Sequence, residues 1–177
     1  TYVKPLQLIT DKPVLYVCNV DESAAATGND YVDQVITTVA DENAQVLVLA
    51  VATEADINEL DTYEERQLFL EDLGLDEPVA ATPIRAAYTL LNLEPYFTAG
   101  EKEVRAWTIS AGATAPQAAG VIHTDFEKGF IRAEVISYSV YDEYGSEKKV
   151  KEAGKARVEG KDYTVKDGDV MHFRFNV

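Results

Sequence analysis

Asn19-Val20-Asp21-Glu22 follows directly on the apolar run at residues 14–18, VLYVC. It sets an amide and a carboxylate three positions apart at the carboxyl end of a predicted parallel strand, where open α/β sheets bind ligands. An amide of this kind can bond a purine edge. In the Asn-Lys-x-Asp signature of guanine readers, the terminal carboxylate then accepts two hydrogens from guanine. Here Val20 takes the Lys position and the longer Glu22 ends the motif. Adenine offers only its exocyclic amine as a donor on that edge, so Glu22 is compatible with adenine and no longer assures the bidentate guanine contact. An ordinary loop, with Asn19 and Asp21 making local turn bonds, is the alternative. After the next apolar run, Ala50-Val51-Ala52-Thr53 is small enough for its backbone to approach a base; a plain strand-to-helix turn is the alternative there.

Phosphate transfer would need more. It requires a glycine-rich cradle with a lysine and a hydroxyl for Mg²⁺, and the chain contains no G-x-x-x-x-G-K-[ST]. The two histidines, His123 and His172, are far apart in sequence and make no zinc pattern. His123 is expected to be a structural group at a helix end, His172 a half-buried strand residue. The carboxylates Glu64, Glu65, Glu71 and Asp72 read as a solvated helix face. A cation cluster is the remaining candidate. Lys148, Lys149, Lys151, Lys155 and Arg157 lie on or beside one polar helix, with Lys161 and Lys166 nearby; Lys128 and Arg132 flank Phe130. A solvated face and an RNA-backbone contact are both open for these residues. No aromatic signature for base-specific RNA reading accompanies them.

The elements that must position these groups fall into two pieces. Residues 14–18 and 46–51 read as continuous apolar strands covered on both faces. Val32, Val35, Ile36 and Val39 between them form an amphipathic crossover helix, completing a βαβ unit. A capping box at Thr62 to Glu65 opens a helix burying Leu68, Phe69 and Leu73 and stopping at Gly74. Thr82-Pro83 is an N-cap followed by the apolar face Ile84, Ala87, Tyr88, Leu91. A boundary is expected within residues 92–99. Beyond it, strands at 103–109, 130–138 and 170–175 and helices at 114–122 and 147–156 make a mixed α+β module. Two parallel strands leave an open edge and do not make a domain, and Thr1 is not a methionine, so the chain is expected to be the tail of a longer protein.

Composition bounds the rest. The 177 residues are 46% hydrophobic, enough for one core or two small ones. The longest apolar run, residues 46–52, is far below the roughly 20 needed to span a bilayer, and a cytoplasmic, non-membrane chain is expected. The lone Cys18 is expected to be a buried packing residue. The net charge of −15 is uneven: residues 1–92 carry 4 basic and 17 acidic side chains, residues 93–177 carry 12 and 14. Any polyanion partner should therefore meet the second piece, and only through local cation clusters.

Residues 96–108 (YFTAGEKEVRAWT), 112–133 (GATAPQAAGVIHTDFEKGFIRA), 151–155 (KEAGK), 159–163 (EGKDY) and 167–177 (DGDVMHFRFNV) resemble the tail of the YchF-type ATPases, an Obg-related branch of the phosphate-loop GTPases. Residues 138–147 fit least. The resemblance implies an α/β plus α+β architecture. Residues 1–92 would be the last part of a Rossmann-like phosphate-loop nucleotide domain, and residues 93–177 a TGS module with a ubiquitin-like β-grasp fold. It implies that Asn19 and Glu22 select ATP over GTP, with Val20 between them and Ala50, Val51 and Ala52 in the second base-contacting loop through their backbone. ATP with Mg²⁺ would serve the complete protein, with nothing tightly bound to this chain, which alone should not hydrolyse it. Ribosome or ribosomal RNA would be the partner through the TGS module and its cations, not DNA. A stand-alone β-grasp interaction module without nucleotide function is the rival reading.

Overall fold

The computed structural model describes residues 4–42, 44–75, 81–100 and 103–176, which form two compact units, Thr1–Leu91 and Asn92–Val177. Glu101, Lys102 and Val177 of the stretches quoted above, and Thr1, lie outside the described residues.

In the first unit, β1 (Leu15–Asn19) runs parallel to β2 (Gln45–Leu49), in register from Leu15↔Gln45 to Asn19↔Leu49. Strand β2 thus ends at Leu49; Val51 already belongs to a helix. The crossover is α1 (Asp30–Thr38), whose N-cap Asn29 accepts the N–H groups of Tyr31 and Val32 and whose Val32 is buried. Helices α2 (Val51–Asn58), α3 (Tyr63–Asp72) and α4 (Ala81–Leu90) follow. Helices α1 and α4 pack on β2, and α2 on α3.

Several expectations for this unit need correction. The strands are not covered on both faces: Val17 is 50% exposed and Cys18 only half-buried, because two strands and their helices cannot enclose a sheet. The capping box of α3 is present, with Thr62 and Glu65 bonded reciprocally, and Gly74 ends that neighbourhood at φ 68°. Yet α3 buries Leu70, while Leu68 is exposed. Phe69 and Leu73 are half-buried on the same side as Leu70, so of the expected face only Leu68 turns outward. In α4 the helix already includes Ala81, so Thr82 is not its cap, and Ile84 and Leu91 are exposed.

The second unit is a five-stranded sheet in the order β4-β3-β7-β5-β6. Its strands are β3 (Leu93–Ala99), β4 (Val104–Ser110), β5 (Phe130–Ser137), β6 (Arg157–Glu159) and β7 (Asp169–Phe175). All neighbours are antiparallel except β3 and β7, which run parallel and are joined through Phe97↔Val170. Helices α5 (Ala115–Ile122) and α6 (Thr124–Lys128) cover one face. There Tyr96, Ile109, Ala118, Ala119, Ala133, Val135 and Met171 form the main core. The Tyr96 hydroxyl is buried and donates to the Ala118 carbonyl, and burial raises its pKa. Helices α7 (Tyr138–Tyr144) and α8 (Glu147–Glu152) build a second core on the other face, around Ile136, Val150 and Val170.

Three of these elements depart from the expected pattern. Residues 93–99 form a strand where a boundary was expected. Strand β3 pairs along its whole length with β4, and its ladder toward β7 is a single pair at Phe97; Pro95, which has no N–H to donate, is accommodated in it. Residues 138–144 form α7 rather than the end of a strand and a loop. The polar helix stops at Glu152; Gly154, φ 68°, turns the chain so that the Lys155 N–H bonds the Val150 carbonyl, and Arg157 enters β6. His172 is exposed on β7, not half-buried.

Glu134 of β5 ties the α8 face together. Its carboxylate lies 2.7 Å from Lys151 Nζ and 3.2 Å from Arg174 Nε, and Lys151 also lies 2.6 Å from Glu147. The bond donated by Lys151 holds the Glu134 carboxyl below its ordinary range, and the same bond raises the pKa of Lys151. A depressed carboxyl stabilises the fold at pH values above the unfolded pKa and loses that contribution as pH falls through the folded one. We expect Glu134→Gln to destabilise the protein at pH 7 and to flatten its loss of stability below about pH 4.3, as followed by chemical denaturation at stepped pH.

Candidate functional site

Strand β1 ends on Asn19, and the Val20 N–H continues the parallel ladder by bonding the Leu49 carbonyl at 2.8 Å. The chain then leaves the sheet. Asp21 is extended, and Glu22 opens a 3-10 turn, Glu22–Ala24, with its side chain exposed. Beside it β2 passes through Ala50, which is buried, into the first turn of α2. Ala50 caps α2 without a side-chain bond. A substitute comes from the neighbouring strand: Asn19 Oδ1 accepts the Val51 N–H at 3.2 Å.

That bond joins the two loops predicted from sequence, and it orients the amide. With Oδ1 receiving a main-chain N–H, the Asn19 NH₂ is the end directed elsewhere, and it can donate. Val51 is 52% exposed, while Thr53 beneath it is buried. Ala52 is exposed in the same first turn, while Ala50 is buried. The structure therefore brings Asn19, Val20, Ala50, Val51 and Ala52 to one end of the β1/β2 pair, with Glu22 three residues beyond. Sequence reasoning missed the Asn19–Val51 bond. Its only signal was that an amide and an uncapped helix start fall at matching ends of paired strands.

The predicted cations separate into two groups. Lys151 is engaged by Glu134 and Glu147. Arg157 is engaged by Glu159 at 3.4 Å and by the buried Asp169 at 3.5 Å, and its guanidinium donates to the Tyr163 hydroxyl at 3.1 Å. Tyr163 in turn donates to Asp169 Oδ2 at 2.6 Å, and burial together with that bond pushes its pKa up to about 12. These two cations are fastenings of the fold, not free phosphate contacts. Both carry neighbours of opposite charge that the sequence pattern left unassigned, because Glu134 and Asp169 are distant in the chain. Lys128, Arg132, Lys148, Lys149 and Lys155 are exposed, with no ion pair among the described residues.

His123 caps α6, its Nδ1 accepting the Asp125 N–H at 3.2 Å, a structural role. Among the described residues no group of histidine, cysteine and carboxylate side chains could hold a metal ion, and no helix is long and apolar enough to cross a membrane.

Comparison with known proteins supplies a context for this geometry. Residues 93–176 match the family model YchF-GTPase_C, described as a protein of unknown function (DUF933). The chain is 57% identical over 175 residues to the ribosome-binding ATPase YchF of Haemophilus influenzae and 58% identical over 175 residues to that of Escherichia coli O157:H7. Each match covers 99% of this chain and 48% of the relative. Among solved structures, the YchF GTPase of Schizosaccharomyces pombe superposes with a TM-score of 0.78 at 38% identity, over 97% of this chain and 46% of that one. The chain thus spans about half the length of the curated relatives it matches.

If the Asn19 amide supplies the missing cap of α2, its removal frees the Val51 N–H. We expect Asn19→Ala to speed hydrogen exchange at Val51 and to cost the first unit about 1 kcal/mol, with no change in exchange across β5 and β7.

Proposed function

The chain belongs to the YchF family, and on that premise we propose that it carries the base-reading end of an adenine-nucleotide site, followed by a TGS-type docking module. The observation that carries the first half is the Asn19–Val51 bond. It leaves an amide donor facing out at the carboxyl end of a parallel pair, able to bond an acceptor on a purine. The backbone around Ala50, Val51 and Ala52 lines the same end, and Glu22 is exposed beyond it. A carboxylate there takes a hydrogen from the adenine amine. These residues fit the base of ATP. The chain's own sequence holds no phosphate loop, so they bind and orient the base while the triphosphate and Mg²⁺ require groups this chain does not contain.

The second half rests on topology. A hairpin, a helical cover and a last strand inserted parallel beside the first support a β-grasp reading of this sheet. In our reading this unit is the TGS domain, residues 93–177, and it docks the complete, cytoplasmic protein on the ribosome or its RNA. The H. influenzae and E. coli relatives are named ribosome-binding ATPases, which supports that partner. Lys148, Lys149 and Lys155, with Lys128 and Arg132 on the opposite end of β5, are the cations left for phosphate contacts. The stand-alone interaction module loses its support, because the match extends over both units.

In the complete protein, ATP should bind more tightly than GTP, and Glu22→Asp should move the ratio toward GTP. Equal affinities measured by calorimetry, or a ratio unmoved by the substitution, would count against the assignment of Glu22. Charge reversal at Lys148, Lys149 and Lys155 should weaken RNA association and lower its salt slope by about one for each phosphate that is no longer neutralised. Reversal at Lys151 or Arg157 should instead lower the unfolding midpoint. Association that does not change with salt would point to a protein surface.

A further inference from the structure

Strand β5 changes side once. Phe130 and Ala133 stand an odd number of residues apart, yet both enter the main core. A regular strand would turn them to opposite faces. The ladder to β7 gives the reason. It steps from Phe130↔Phe175 directly to Arg132↔Arg174, so Ile131 is an extra residue, a bulge, and it is 55% exposed. Bulges re-aim the side chains beyond them. Without this one, Arg132 would share the core side with Phe130. With it, Arg132 lies on the other face, across from Arg174 and beside the next pair on that face, Glu134↔His172.

Two guanidinium groups set opposite each other repel. The sheet supplies only part of the countercharge. Glu134 accepts from Arg174 Nε at 3.2 Å, and the other nitrogens of the Arg174 side chain have no hydrogen-bond partner among the described residues. The exposed Arg132 side chain has neither an ion pair nor a hydrogen bond among them. Lys151, Arg174 and Arg132 thus meet the carboxylates Glu134 and Glu147, and one positive charge is left over. Nor is Arg174 committed to its bond. Lys151 also holds Glu134, at 2.7 Å, and Glu134 is 18% exposed against 52% for Arg174. Arg174 can turn to another anion without leaving a half-buried carboxylate unpaired.

We propose that Arg132 and Arg174 form a clamp for one backbone phosphate of an RNA, an inference that rests on the reading of this unit as an RNA-docking module. A guanidinium presents parallel donors that match the free oxygens of a phosphate. The surplus of one charge equals that of a phosphodiester; a phosphate monoester, with about 1.5 to 2 negative charges at pH 7, would stay partly unneutralised. A repeating polyanion is favoured over a single acidic side chain because α8, packed on the same face through Val150, also carries the exposed Lys148 and Lys149. Glu134 holds Arg174 until a phosphate arrives, and then keeps Lys151 alone.

The test uses the full chain at 0.15 M salt, with a single-stranded RNA oligonucleotide, an oligoglutamate peptide and inorganic phosphate as probes. RNA should shift the Nε–H resonances of Arg132 and Arg174 together, and the other two probes should bind more weakly. Arg132→Gln should weaken RNA binding by roughly three- to tenfold and lower its salt slope by about one, with the unfolding midpoint unchanged. Glu134→Gln should tighten RNA binding even as it destabilises the fold, and by more than Glu143→Gln, which removes the same charge at an exposed site on α7. Adding Arg174→Gln should cancel that gain. If reversal of Lys148, Lys149 and Lys155 weakens RNA binding while Arg132→Gln does not, the clamp is overturned and the docking reading stands; absence of RNA binding overturns both. Equal effects of Glu134→Gln and Glu143→Gln overturn the clamp. So does oligoglutamate binding as tightly as RNA with the same two resonances shifted, in favour of an acidic protein, or self-association in sedimentation that Arg132→Gln abolishes, in favour of a second copy.

Discussion

The second unit depends on where its last strand begins. Asp169, 2% exposed, heads β7 and accepts the Tyr163 hydroxyl and the Lys166 N–H through Oδ2, while Arg157 stands beside Oδ1. A carboxylate taken out of water is tolerated only when its lone pairs are met this fully. Meeting them fixes the turn at residues 166–168, where Gly168 at φ 78° reverses the chain. It also fixes the register of β7, so that Val170 falls beside Phe97 and Ile136 while Met171 enters the main core. Strand β7 lies between β3 and β5, so the sheet is not continuous until this end of the chain is in place. Cation and carboxylate here serve architecture.

The same requirement explains how one cluster of positive residues divides. Lys151 faces the sheet at the buried-helix position next to Val150, and the cross-strand neighbours of β5 offer it Glu134. Lys148 and Lys149 are exposed on the same short helix and make no ion pair among the described residues. The division follows from reach: of the three lysines on this helix only Lys151 comes within ion-pair distance of Glu134 on the neighbouring strand.

In the first unit the governing constraint is scarcity of cover. Two parallel strands with helices on β2 leave Val17 half exposed and Cys18 half-buried, and a good part of the apolar surface of α3 and α4 turns outward. A site can still be built there, because its geometry depends on strand ends rather than on core depth. The register that aligns Asn19 with Leu49 puts an amide beside the first turn of α2, and one hydrogen bond makes the two loops a single rim.

How much of this was legible in the sequence follows from the range of the interactions involved. Local chemistry was readable: the apolar runs of β1 and β2, the reciprocal bonds of Thr62 and Glu65, the crossover helix, and the amide and carboxylate after β1 are all set within a few residues. Strand β3 reads as part of a boundary in the sequence, since only its pairing with β4 shows that residues 93–99 belong to the second sheet. The face of α3 could not be chosen between Leu68 and Leu70, because the position of α2 decides it. The residue types at the carboxyl ends of β1 and β2 came from sequence alone. Tertiary structure decided which end of the Asn19 amide is taken by the main chain and which cations are already engaged by Glu134 and Asp169. Each of those answers rests on a partner distant in the chain, brought within hydrogen-bond reach only by folding.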